Sequence, residues 1–191
     1  MNKQTLKAGF VLKALAITMF VIVSAVQAFA QNWVEQRTYV SGGKAAPRIA
    51  GLLTRPVKGS LGSFVWFQVQ EGYSQAYAGA TYSPKPWVQF ALGGGMEEAR
   101  HPARLGSYVW AGKGLVTGLA VFEQGGSGFW WKVETNYQVR SALGIGTLSE
   151  AYKGTGPKLE LSVPHTRLKL WVAPLWKHGS ISPLIGVRCS L

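Results

Sequence analysis

The chain of 191 residues has no aspartate, one cysteine and three histidines. Each scarcity excludes something. A lone Cys189 rules out an intrachain disulfide. His101, His165 and His178 lie far apart, and no pair has the short spacing of a zinc motif. No G-x-S-x-G elbow and no P-loop occurs, and Gly93-Gly94-Gly95, Gly144 and Gly146 precede no helical pattern. These glycines therefore read as close-packed strand positions, not phosphate cradles. There is no linker, charge run or low-complexity segment, and the helical period is almost absent. After residue 30 no apolar run approaches the roughly 20 residues of a membrane-spanning helix. If the rest of the chain enters a membrane, it does so as strands.

What is present begins with an export leader. Lys3, Lys7 and Lys13 form a basic segment and Ala14 to Val26 an apolar one. Ala28 and Ala30 then supply the small residues of a cleavage site between Ala30 and Gln31. Residues 1–30 are thus expected to be a signal peptide and residues 31–191 a single domain. Gln31, where a lipoprotein would carry cysteine, excludes lipid attachment at that site. Of the twenty lysines and arginines three leave with the leader, so 17 face the eight glutamates, a net charge of +9. Such an excess often marks nucleic-acid binding. An exported protein instead meets lipid phosphates, anionic glycans and small anionic solutes. Nucleic acid is not expected as a partner, and no cofactor or metal is.

The remaining sequence has one rhythm: about ten alternating residues, then a turn cluster rich in Gly, Pro and Ser. In 129–139, Phe129, Trp131, Val133, Thr135, Tyr137 and Val139 oppose Trp130, Lys132, Glu134, Asn136 and Gln138. A period of two places these sets on opposite faces of a sheet. Segments 62–70, 87–96, 115–123, 158–163, 167–173 and 185–191 repeat the pattern. In 115–123, Leu115, Leu119 and Val121 form the apolar set. Weaker candidates at 33–40, 46–54, 74–82, 103–111 and 142–150 bring the count to about twelve strands, with eight or ten if weak segments are misread. Hairpin spacing throughout predicts an all-β, antiparallel up-and-down barrel with short turns.

Three features favour a transmembrane barrel over a soluble one. The segments run near the 9–11 residues that a tilted strand needs to cross a bilayer. Opposite charges recur two apart on the polar face, as in Glu35/Arg37, Lys132/Glu134 and Lys158/Glu160, where a narrow lumen would pair them. Aromatics such as Trp87, Tyr82, Phe129 and Trp176 gather near strand ends, as in interfacial girdles. The final strand alternates through Ile185, Val187, Cys189 and Leu191. On these patterns the chain resembles bacterial outer-membrane β-barrel proteins, although its last residue is not aromatic and its connections are short on both sides. The resemblance implies an outer-membrane location, a wall in contact with membrane lipids and insertion by the barrel-assembly machinery.

Function reads less directly. Arg37, Arg48, Lys132, Lys158, Arg167, Lys169 and Arg188 fall on the polar faces, against Glu35, Glu134 and Glu160. They predict a basic lumen that would favour small anionic solutes if open. Phe64, Trp66, Tyr108 and Trp110 share the inner side and would help to fill it. The leading expectation is a non-enzymatic outer-membrane barrel, either a small pore or a structural membrane protein. A secreted or periplasmic soluble β-barrel or sandwich that binds a ligand is the alternative. A third reading is a lipid-modifying enzyme. His178-Gly179-Ser180 has the H-x-S spacing that resembles the lipid A deacylase barrels, with His178 and Ser180 as the candidate catalytic pair. Such a pair also needs a carboxylate, and after Ser180 the chain has none, so Glu97, Glu98 or Glu123 would have to supply it. A metal site from His101 and His178, on one side of the barrel with Glu97 or Glu98 nearby, is conceivable, but no ligand pair has the usual metal spacing and no metal is expected.

Overall fold

The computed structural model describes residues 32–41 and 44–191; the expected leader and its cleavage position lie outside the described residues. The described residues form twelve strands: β1 (Trp33–Ser41), β2 (Lys44–Lys58), β3 (Leu61–Gln70), β4 (Tyr73–Lys85), β5 (Val88–Glu97) and β6 (Ala103–Lys113). There follow β7 (Val116–Gly125), β8 (Gly128–Arg140), β9 (Leu143–Glu150), β10 (Gly154–Ser162), β11 (Leu168–Lys177) and β12 (Ser180–Ser190). Every strand pairs antiparallel with its neighbours in sequence, and β1 closes on β12. The closing register runs from Trp33↔Ser190 to Tyr39↔Leu184. All five weaker sequence segments are strands: β1, β2, β4, β6 and β9.

An even strand count brings both ends of the described barrel to one side. There the Leu191 amide donates to the Asn32 carbonyl at 2.9 Å. We call this end the lower rim. The turns at 59–60, 86–87, 114–115, 141–142 and 163–167 also lie on it, and those at 71–72, 98–102, 126–127, 151–153 and 178–179 form the upper rim. The turns are tight. His178 and Gly179 both have positive φ, 47° and 77°, which lets two residues reverse the chain between β11 and β12 in the primed sense that matches strand twist.

Alternation sorts the side chains as a membrane barrel requires. Ile49, Leu92, Phe122, Ile145, Leu161 and Ile185 point outward and are exposed, whereas Glu35, Arg37, Lys132, Lys158 and Glu160 point inward and are buried. A soluble barrel would place these groups the other way round. Exposed aromatics stand near both rims: Tyr82, Trp87 and Tyr137 below, Phe129, Tyr152 and Trp176 above.

One strand departs from the sequence expectation. In β7, Leu119 and Val121 face inward and are buried, and Phe122 faces out. The rule that the apolar face is the outer one fails here because the middle of the lumen is itself apolar. Trp33, Leu52, Phe64, Trp66, Tyr77 and Tyr108 pack there with Val121. Leu148, Trp171, Leu175 and Leu184 form a second cluster. Most of the ring pairs meet edge to face, as in Phe64–Tyr108 at 5.3 Å and Trp33–Trp66 at 5.6 Å between centroids, while Trp66 and Tyr77 stack.

Large rings fit because glycines face them. The Tyr77 ring occupies the space that a Cβ at Gly106 would need, and the Phe64 ring tip would lie 2.9 Å from a Cβ at Gly93. Replacing Gly106 with Val should therefore lower barrel stability by about 1–3 kcal/mol through overpacking. The check is the temperature at which the folded band is lost on an unboiled gel. An unchanged midpoint would mean that the Tyr77 ring swings aside freely.

The ladder is not uniform. Between β10 and β11 the pairing lapses from Thr155↔Trp176 to Leu159↔Val172. Pro157 and Pro174 lie in that interval and supply no N–H. Register shifts occur at Pro56/Lys58, Tyr82/Lys85 and Gln138/Arg140, all near the lower rim.

Candidate functional site in the barrel interior

The interior is a waist between two vestibules. The lower vestibule is lined by Trp33, Trp110, Asn136, Glu160, Lys169 and Arg188, among others. The upper one is lined by Arg48, Gln68, Tyr73, Arg104, Trp130 and Glu150, among others. Between them Trp66 has no exposed surface, and Leu52, Phe64 and Tyr108 of the same cluster are fully buried with it, as is Lys132 over its ring. The lumen is packed at this level, in line with the inward aromatics expected from sequence.

Beside the apolar packing runs a ladder of alternating charge. Lys169 Nζ lies 2.7 Å from Glu160, and Lys158 Nζ joins Glu160 at 2.8 Å to Glu134 at 2.6 Å. Arg188 contacts Glu134 at 3.1 Å and Glu35 at 2.6 Å. Glu35 also accepts from the Trp171 indole at 3.0 Å and lies 3.9 Å from Arg37. Arg37 donates to Glu150 at 3.0 Å, and Arg48 to the other Glu150 oxygen at 2.8 Å. Lys132 branches off at Glu134, 3.3 Å away. Its ammonium also lies 5.6 Å from the Trp33 ring and 5.8 Å from the Trp66 ring, within cation–π range. The ladder connects the lower vestibule, at Lys169, with the upper, at Arg48.

The inward alternation of a strand creates this arrangement. Glu35 and Arg37 on β1, Lys132 and Glu134 on β8, and Lys158 and Glu160 on β10 are two residues apart, so each pair faces the lumen together. Closure of β12 onto β1 sets Arg188 directly across from Glu35.

A second cluster closes the upper end. Arg104 pairs with Glu97, and with Glu123 at 2.5 Å. Glu97 also accepts from the Ser127 amide at 2.7 Å and the Tyr73 hydroxyl at 2.6 Å. Glu123 accepts from the Tyr77 hydroxyl at 3.0 Å and from the Gln75 amide.

Six of the seven lumen cations expected from sequence belong to the ladder: Arg37, Arg48, Lys132, Lys158, Lys169 and Arg188. Arg167 does not; it is exposed in the 163–167 turn. Four interior charges were not anticipated there: Arg104, Glu97, Glu123 and Glu150. They lie near the upper ends of β5, β6, β7 and β9, where strand and turn residues look alike in sequence. With them, seven cations and six carboxylates take part in ion pairs among the described residues. The paired interior is close to neutral, where the sequence reading expected a basic lumen.

His178 and Ser180 stand exposed on the upper rim. The Ser180 hydroxyl donates to the Lys177 carbonyl at 2.9 Å, and no hydrogen bond joins it to His178 among the described residues. His101 is exposed in the 98–102 turn of the same rim, and His165 lies on the lower rim. No group of three potential metal ligands converges among the described residues.

A closed meander with a lipid-compatible exterior and a polar, ion-paired interior is the architecture of outer-membrane β-barrels. Solved structures of that class match it. The KdgM porin superposes with a TM-score of 0.57 at 13% identity, covering 83% of this chain and 99% of the porin. The NanC porin gives 0.51 at 12% identity, covering 84% and 100%. Outer membrane phospholipase A from Escherichia coli gives 0.52 at 9% identity, covering 87% and 93%. At such identities the likeness is one of fold, and a wall shared by porins and a phospholipase leaves the function to the interior. No protein-family model matches the chain, and no curated protein matches it in sequence.

Proposed function

We propose that the chain is a small, non-enzymatic pore of the bacterial outer membrane, shut at its waist by side chains in the conformation described. The observation that carries this reading is the charge ladder between the two vestibules. A barrel that served only as wall could fill its middle with apolar side chains at no loss of stability, because buried ion pairs seldom beat hydrophobic packing. A line of ten charged groups instead offers a small hydrophilic solute successive exchange partners. Nε and one terminal nitrogen of Arg37, and the indole nitrogen of Trp66, are buried without a hydrogen-bond partner among the described residues. They add hydrogen-bonding capacity beside the ladder.

Near balance of charge gives weak ion selectivity in place of strong anion preference. In this reading the leader directs export, the assembly machinery inserts the barrel, and membrane lipids cover its apolar belt.

Planar-bilayer recording tests the proposal. The wild-type protein should pass little current. Trp66→Ala should raise conductance several-fold by removing the largest side chain of the waist, with weak preference for either ion sign. If Trp66→Ala still runs as a folded barrel on an unboiled gel yet conducts no more than wild type, the vestibules are not connected through the waist. The chain would then be a structural element of the membrane.

A further inference from the structure

We propose that the lower rim is a docking collar for anionic glycerophospholipids, an inference that rests on the barrel spanning a membrane. Each of the five lower turns carries a cation: Lys58, Lys85, Lys113 and Arg140 flank the first four, and Arg167 lies within the fifth. All five are exposed. No glutamate stands on this rim. Six of the eight glutamates are buried in the barrel interior, and the other two, Glu71 and Glu98, lie in upper turns. The upper rim mixes those two acids with Lys44, Arg100, Lys153 and Lys177, so the rims differ in kind.

A second observation is independent of the charge count. The three register shifts near this rim end on Lys58, Lys85 and Arg140. A bulge re-aims side chains out of regular alternation, and here it does so where a cation stands. Arg55, exposed on β2 three residues before Lys58, adds a sixth charge. Tyr82, Trp87 and Tyr137 are exposed next to the cations, at the level that amphipathic rings take between acyl chains and headgroups.

The geometry selects the partner. The cations encircle the barrel just beyond its apolar belt, which is where a ring of lipid phosphates lies. Long basic side chains can reach such phosphates while their stems stay in the interface. A small anion or an acidic peptide would occupy one arc, not the whole circle. Attraction to an anionic surface is on the order of fivefold per cation in partitioning and weakens with salt.

The test uses the folded chain in mixed bilayers, with tryptophan fluorescence quenched by brominated phosphatidylglycerol or by brominated phosphatidylcholine. Phosphatidylglycerol should quench with a several-fold higher relative association constant. The ratio should fall toward one in salt of about 0.5 M, and likewise in a variant combining K58Q, K85Q, K113Q, R140Q and R167Q. The salt arm keeps the test valid if that variant folds poorly. Equal quenching by both lipids in the wild type overturns the collar and leaves the membrane reading standing. Inorganic phosphate abolishing the preference at an ionic strength where chloride does not would also overturn it, since the rim would then bind free phosphate. Absence of quenching by either lipid overturns the membrane reading itself.

Discussion

Glu134→Leu should destabilise the barrel by about 3–5 kcal/mol, the cost of leaving buried charges without their partner. Glu134 serves Lys132, Lys158 and Arg188 at once. After its removal Lys158 keeps Glu160 and Arg188 keeps Glu35, but Lys132 loses its only carboxylate within ion-pair distance. The cation–π contacts with Trp33 and Trp66 are too weak to replace it. The decisive comparison is the double variant Lys132→Met/Glu134→Leu. Removing both members of the pair takes away the stranded charge, so most of the loss should be recovered, with a coupling of several kcal/mol in a double-mutant cycle. Denaturant unfolding of the barrel in bilayers measures both. A single variant within about 1 kcal/mol of wild type would show that water reaches Lys132 freely and that the waist is wet.

Arg104→Met should have an effect of similar size at the upper end. Arg104 is the cation that holds Glu97 and Glu123 side by side, and all three side chains are almost wholly buried. Without it two carboxylates face one another across β5, β6 and β7. Tyr73, Ser127, Gln75 and Tyr77 still donate to them, which places the loss near the lower end of the range, about 3 kcal/mol. Adding Glu123→Gln should restore much of it by removing the repulsion. If Arg104→Met alone unfolds at the wild-type denaturant concentration, the cluster is solvated and the upper vestibule extends deeper than its packing indicates.

Much of this architecture was legible before the fold was known. A period of two, with turn residues every ten positions or so, gives strands, their number and their up-and-down order. Paired charges two residues apart announce a lumen that binds its own charges. β7 defeats the reading because Leu119 and Val121 on one face and Phe122 on the other are all apolar, so alternation carries no sign. The upper cluster was hidden for another reason. Glu97 and Arg104 flank the 98–102 turn, and only the paired ladder of β5 and β6 shows that they still face inward. Charge balance of the interior followed from the same omission. Nor does any local pattern disclose that Arg188 meets Glu35, residues 153 positions apart in the chain and joined only by closure of the sheet.

The shortness of the described turns has a consequence for how the proposed pore could open. Among the described connections, 98–102 and 163–167 are the longest with five residues, and the others have two or three. None of these described turns is long enough to fold back into the lumen as a plug or to swing over a mouth as a flap. If the chain is the pore proposed above, passage through the waist depends on rotation of packed rings such as Trp66 and on exchange of partners along the ladder. Exposed side chains change rotamer in picoseconds to nanoseconds, but the waist side chains are buried and close-packed, so each rearrangement requires its neighbours to give way. Openings in the proposed pore would be local to the waist and would leave the strands of the wall in place.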